Sequence, residues 1–579
     1  MKNNIKSILC LTFICLTNYG YGQGFLRAQK TIIVDGSGKE IILRSMGLGG
    51  WMVQEGYMLK VYKNGTQHEI KQRIADLIGE KECDQFYDKW LKNHVRKADI
   101  DSLAHWGFNA VRLPMHYNLY TLPVEQEPIK GQNTWLTKGF DMTDKLLSWC
   151  KANKMYLILD LHAAPGGQGR DANISDYDTA KPALWESDAN KAKTIALWRK
   201  LASRYAKEPW IGGYDLINEP NWSWEGKQPN GLQDSLNTDV WALQKAITNA
   251  IREVDKKHLI VVEGNGWGGN YRGFPGPWDN NTVLSFHKYW NPNTAGSIAR
   301  YTQIRDKYQL PLWLGETGEN SDQWFTDCIR LAEKNHIGWS WWPLKKIESF
   351  VCPFHVNAPK DYQKLVDYWN NGGEKPSKEV AQKALFDVAE NLKAENCFFV
   401  KDYVDAMFRQ VQDSAAIAYK KHNLPGKIAA VDYDLGQQNH AYFDTDYQNT
   451  VRAGGMSGNK GGQYRNDGVD ISSGDKLPFV SSAYYVSSTQ DGEWLNYTVN
   501  VTKAGNYAVS VGTGPKKSTG SIQLIFDNQT ASPVELNTEP DKAILASVQP
   551  VYLGTGMHHI KLLMVKGGTD LDYLEFRLP

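Results

Sequence analysis

The sequence predicts a (β/α)8 TIM barrel followed by an all-β module of β-sandwich or jelly-roll type. Between about residues 40 and 345, eight short apolar runs alternate with stretches whose apolar residues recur at helical spacing. The runs are almost continuously apolar, as strands buried on both faces of a parallel sheet must be. Past about residue 425 the pattern changes to short β-like runs separated by Gly-rich turns.

The chain starts "MKNNIKSILCLTFICLTNYGYGQ", with two lysines, an apolar run from Ile8 to about Leu16 and then small residues. This reads as a signal peptide over 1–22, too short to span a bilayer, and it directs the chain out of the cytoplasm, either secreted or periplasmic. The barrel strands follow in order as "IILRSMGLGG", "FNAVRLP", "MYLILDLH", "IGGYDLINEP", "HLIVVEG", "TVLSFHKY", "LPLWLGETG" and "IGWSWWPL". Segments such as "DVWALQKAITNAIREVDKK" supply the covering helices. A catalytic domain is assigned to 23–375, a helical extension or linker to 376–424, and the β-sandwich to 425–579. The runs "EWLNYTVNV", "NYAVSVGTG", "SIQLIFDN", "HHIKLLMV" and "LDYLEFRL" are its strands.

Composition excludes some partners. Formal net charge is +1, which offers no electrostatic footprint for nucleic acid or an anionic membrane, and no second long apolar segment predicts a membrane span. The five cysteines past the signal are scattered and odd in number, so they predict neither a disulfide framework nor a metal knuckle. No cofactor or metal is expected, and a monomer is.

The strand ends carry the chemistry. They hold Arg112, His162, Asn218 with Glu219, Glu263, His287 with Tyr289, Glu316 and Trp342, and Glu55 follows the first strand. Each alone is an ordinary structural residue. In a barrel, however, the C-terminal ends of all strands converge on one mouth. Paired carboxylates at such a mouth are the machinery of glycoside hydrolysis, one giving a proton and the other staying ionised. Glu219 and Glu316 are that pair. Arg112 and Tyr289 can keep Glu316 charged, and Asn218 offers an amide to a sugar hydroxyl. A metal-dependent hydrolase on His162, His287 and Asp160 is a rival, but no HxH or HExxH spacing supports it. A non-catalytic glycan-binding protein is another, and both carboxylates being present argues against it.

The set of motifs resembles glycoside hydrolase family 5 over roughly residues 25–350. The resemblance implies Glu219 of "LINEP" as acid/base, Asn218 as hydroxyl clamp and Glu316 of "LGETGE" as nucleophile, with retention of configuration. It implies substrate contacts from Arg112, His162, His287 and Tyr289, and a stacking platform in Trp342. "LRSMGLGGWMVQEG" and "DLHAAPGGQGRDAN" look like the corresponding stretches of exo-β-1,3-glucanase-like members, so Glu55 would bind the terminal sugar. Ser45-Met46 and the loop from Asn173 to Ser187 depart from that pattern. The expected partner is a β-glucan polysaccharide or oligosaccharide, β-1,3-linked and cleaved in exo mode, with endo action on β-1,6 or β-1,4 linkages as the alternative. "QYRNDGVDIS" and "DGEWLNYTVNVTKAGNYAVSV" resemble family 6 carbohydrate-binding modules, which makes Tyr464 a candidate sugar-stacking residue. In those relatives two Glu side chains help hold calcium where this chain has Ala429 and Val431, so that site is expected empty.

Overall fold

A computed structural model describes residues 24–452, 455–474, 483–514, 519–527, 529–537 and 545–579. The expected signal peptide lies outside them. Eight parallel strands close into a barrel: β1 (Arg44–Gly47), β2 (Ala110–His116), β3 (Tyr156–Ala163), β4 (Ile211–Asp215), β5 (Leu259–Glu263), β6 (Thr282–Lys288), β7 (Leu312–Gly318) and β8 (Gly338–Trp342). Closure is made by β8 against β1, with Trp339 opposite Arg44 and Trp341 opposite Met46. Strands β2 to β7 are buried along their whole length, which is why their sequences show no alternation.

The helix Thr238–Val254 illustrates how the outer ring is specified. Val240, Leu243, Gln244, Ile247 and Ile251 are among its buried residues, an i, i+3, i+4, i+7 stripe facing the barrel. The N-terminal end of the barrel is sealed by the hairpin Arg27–Gln29 and Ile32–Val34. Leu26, Ile33 and Leu43 pack there against Ala110, Tyr156, Leu259, Val261 and Trp313. The site therefore has one mouth, at the opposite end.

Two expected boundaries move. Helices begin at Lys360, not 376, and the two helices Lys360–Asn371 and Lys378–Asn391 pack on the helices Gln67–Ile78 and Glu80–His94 through Ile74, Phe86, Trp90, Leu365 and Leu385. The helix Lys401–Met407 is no linker, because Val400, Tyr403 and Met407 belong to the barrel core. The sandwich starts with His422–Leu424, three residues before the expected boundary, paired in parallel with Trp494–Val501. Its two sheets enclose Tyr433, Tyr497, Val509, Leu524, Leu562 and Leu574. In Trp494–Val501, half-buried and buried residues alternate at every position, the period-2 pattern of a strand with one face on the core. Val431 is buried in that core.

Among the described residues all five cysteines are free thiols, and no helix is long and apolar enough to cross a membrane.

Candidate active site

At the C-terminal mouth lies a cavity of about 630 Å³, within the size range of small-molecule sites. Glu55, His162, Glu219, His287, Tyr289, Glu316 and Trp342 line it together with Tyr57, Trp267, Trp290 and Glu319. Arg112 and Asn218 stand behind this wall, fully buried.

Arg112 organises the floor. Its Nη1 donates to Glu316 Oε2 at 2.8 Å, and its Nη2 donates to Asp215 Oδ2 at 2.9 Å and to Asn218 Oδ1 at 2.8 Å. Asp160 and Glu263 also lie within 3.3 Å of the guanidinium. A buried cation needs such company, because an unpaired charge in this interior would be strongly unfavourable. Burial works against the Arg112 charge, but the four carboxylates overcome it and push its pKa up.

Glu219 and Glu316 sit at opposite sides of the mouth in contrasting surroundings. Glu316 follows from β7, accepts from Arg112, and takes a second hydrogen bond at 2.8 Å from the Tyr289 hydroxyl. Two donors on two oxygens fix its plane. Glu219 lies four residues past the end of β4 with φ of +44°, a backbone conformation uncommon outside glycine. Its amide donates to Glu263 Oε2 at 2.7 Å, which anchors that conformation. Pro220 then turns the chain away. Burial raises the Glu219 pKa, and nearby Glu316 adds to this, although the His287 hydrogen bond opposes both. Burial thus shifts Glu219 toward the protonated form, as a proton donor needs.

The histidines are held as cations. His287 donates from Nδ1 to Glu219 Oε1 at 2.6 Å, with Nε2 3.1 Å from Glu263. His162 donates from Nδ1 to Asp160 at 2.8 Å and lies flat against Trp342, with the ring planes 6° apart. Burial would lower the His162 pKa, but Asp160 and Glu55 raise it to about 10. Glu55 is raised to about 7, by burial first, while His162 pulls the other way. Trp342 points its Nε1 to the Tyr57 hydroxyl at 2.9 Å.

Ligand atoms of Glu219, His287 and Glu316 lie within 4.8 Å of one another, a spacing that a metal could also use. Arg112 and a protonated His287 are already at these carboxylates, and their positive charge opposes a second cation.

The structure brings all the sequence-predicted barrel residues to this mouth. Sequence reasoning missed Tyr57, Asp215, Trp267, Trp290 and Glu319. Tyr57 was two residues from Glu55 and in plain view, whereas Trp267 lies in the short helix Asn265–Gly268 and Trp290 and Glu319 lie on loops, with no strand pattern to point to them.

Tyr464 is a correction. It is 8% exposed, its hydroxyl donates to Asp432 at 2.6 Å, and its ring is stacked on Tyr484 and near Phe398 and Tyr419. A ring so enclosed offers no face to a sugar.

Residues 68–347 match the model of the cellulase family, glycosyl hydrolase family 5. Residues 465–576 match a carbohydrate-binding module of family 35, so the expected assignment to family 6 is corrected. A protein named beta-xylosidase from Phanerodontia chrysosporium is 28% identical over 381 residues, covering 59% of this chain and 75% of that one. "Probable glucan 1,3-beta-glucosidase A" of Aspergillus niger is 25% identical, covering 50% of this chain and 68% of that one. Endoglucanase C of Acetivibrio thermocellus is 27% identical, covering 45% of this chain and 88% of that one. With Glu219 past the end of β4 and Glu316 on β7 brought together, and with residues 68–347 similar to glycosyl hydrolase family 5, the chain is a glycoside hydrolase.

Proposed function

We propose that the chain hydrolyses β-glucan by double displacement, with β-1,3 linkages cleaved in exo mode. The observation that carries the mechanism is the Glu219–Glu316 pair, whose nearest oxygens lie within 4.8 Å. Carboxyl groups of retaining enzymes stand about 5–5.5 Å apart, and inverting ones about 6.5–9.5 Å to seat a water between them. Glu316 attacks the anomeric carbon while Glu219 gives its proton to the departing glycosidic oxygen. Glu219, now ionised, takes a proton from water, which attacks the same carbon and frees Glu316.

The linkage reading rests on the "GLGGWMVQEG" and "DLHAAPGGQG" stretches and on the Aspergillus relative's name. Glu55, Tyr57 and Trp342 line the cavity, and in this reading they bound the terminal-sugar end from which single units are released. The relative named a beta-xylosidase favours a second reading, a β-xyloside substrate in the same pocket. We further read the enzyme as exported, from the signal-like 1–22, and as a monomer.

The test is product analysis on laminarin, pustulan, mixed-linkage glucan, cellulose and xylan in parallel, beside aryl β-glucoside and β-xyloside. Glucose alone at early times from laminarin supports the reading. Long oligosaccharides at early times reject exo action, and preference for the xyloside selects the second reading.

A further inference from the structure

The turn that carries Tyr464 reaches away from its own module. Its next residues enter the catalytic body directly behind the nucleophile strand. We infer that Asn466 is a positioning residue for the substrate cavity, holding the 319–322 loop so that Trp290 stands at the cavity rim.

The contacts run as a chain. Asn466 is 6% exposed, and its amide group donates to Asn320 O at 3.0 Å and to Asp322 Oδ1 at 2.7 Å. Its backbone N–H donates to Asp402 at 2.7 Å, and its carbonyl accepts from Asp322 N at 2.8 Å. Asn320 in turn exchanges two hydrogen bonds with the Asn449 backbone, at 2.6 and 2.9 Å. All of these partners lie between the barrel or its helical extension and the module.

The loop needs an external hold. Glu319 has φ of +51° and Trp290 has φ of +31°, and neither is glycine. Such residues persist where the surroundings over-determine them. These two are bonded to each other, since Trp290 Nε1 donates to Glu319 O at 3.1 Å. Two successive carbonyls are therefore pinned from opposite directions, Glu319 O by the rim tryptophan and Asn320 O by the module. Lys346 pairs with the Glu319 carboxylate and completes the grip. Trp290 is 41% exposed and packs beside Tyr289, whose hydroxyl orients Glu316. The buried Glu55, His162 and Trp342 receive the sugar to be cleaved off, so the exposed Trp290 meets the part of the substrate beyond it.

The inference rests on the reading of this cavity as the glycan site. The test uses the full chain with laminaritriose, cellotriose or gentiotriose, whichever the wild type cleaves fastest, beside an aryl β-glucoside. Asn466→Ala should lose about tenfold in kcat/KM on the trisaccharide, mostly through KM, and stay within about twofold on the aryl glucoside. Trp290→Ala should lose a similar factor on the trisaccharide. The double variant should lose little more than either single one, because both substitutions release the same wall. Should Asn466→Ala not fold, Asn466→Ser carries the same test, since a single short hydroxyl cannot donate to both Asn320 O and Asp322 Oδ1. Multiplying losses, or wild-type kinetics in the folded variant, would overturn the inference. Collapse of both variants would overturn it too, since the contacts would then serve the fold and not the wall. A wild type that cleaves no glycoside at all would instead overturn the functional reading.

Discussion

The two glutamates differ by what holds them, and the difference predicts how each fails. On the proposed roles Glu316→Ala removes the nucleophile, so turnover should drop on the order of 10⁴- to 10⁶-fold. Azide fills the space left and should restore turnover with formation of the α-glycosyl azide. A β-glycosyl azide from that variant would reject Glu316 as the nucleophile. Glu219→Ala removes the proton donor, which contributes roughly 10²- to 10⁴-fold, but only where the leaving group needs a proton. A dinitrophenyl glucoside should therefore be spared at the glycosylation step while natural glucan is not. The sign of the pH dependence follows from the raised Glu219 pKa. Bond cleavage needs the protonated form, so kcat/KM on glucan should fall as pH rises through that pKa. In Glu219→Ala assayed on the dinitrophenyl substrate, this alkaline limb should vanish.

At the scale of elements, the barrel rests on a sealed base. Trp313, the second residue of β7, is buried among Leu26, Ile33, Leu43 and Val283 beneath the barrel. Trp313→Ala should cost about 3–5 kcal/mol of stability by emptying that layer, measured by denaturant unfolding, while Glu316 three residues on keeps its two donors. Unchanged stability would show that the hairpin does not plug the base. The eight strands were legible because burial on both faces leaves unbroken apolar runs. The convergence of Glu219 and Glu316 was legible because polar residues at strand ends have nowhere to point but the mouth. Trp290 and Glu319 were not legible, since a positive φ outside glycine leaves no mark in composition. The helical segment around Lys401–Met407 was misread as linker for a related reason. Its apolar residues fit a helix, and nothing local says that they belong to the barrel core. Tyr464 was misplaced because an aromatic beside polar residues reads the same in a sugar cleft and in an internal contact.

At the scale of the whole molecule, barrel and module meet over buried charge. Asp322, Asp402 and Asp467 cluster about Arg465, with Lys401 nearby. Burial raises the Asp402 pKa to about 6, although Arg465 pulls it down, and raises Asp322 further. For a carboxyl whose folded pKa lies above its unfolded one, the folded state binds the proton more tightly. Its contribution to stability is full below the unfolded pKa and is lost as pH rises through the folded value. The melting temperature should therefore fall between about pH 4 and pH 6 by an amount worth roughly 2–3 kcal/mol for this group. Asp402→Asn should flatten that fall, and an equally steep profile in the variant would reject the assignment. The same junction bears on how such chains are built and inherited. A binding module on a free tether can be exchanged between enzymes, because neither part depends on the other's shape. Here Asn466 completes a catalytic-side loop and Arg330 of the barrel reaches Gln437 of the module. Transplanting the C-terminal third onto a foreign barrel, or trimming it to make a minimal enzyme, would separate surfaces fitted to each other, so recombination has to carry the two halves together or re-make the seam between them.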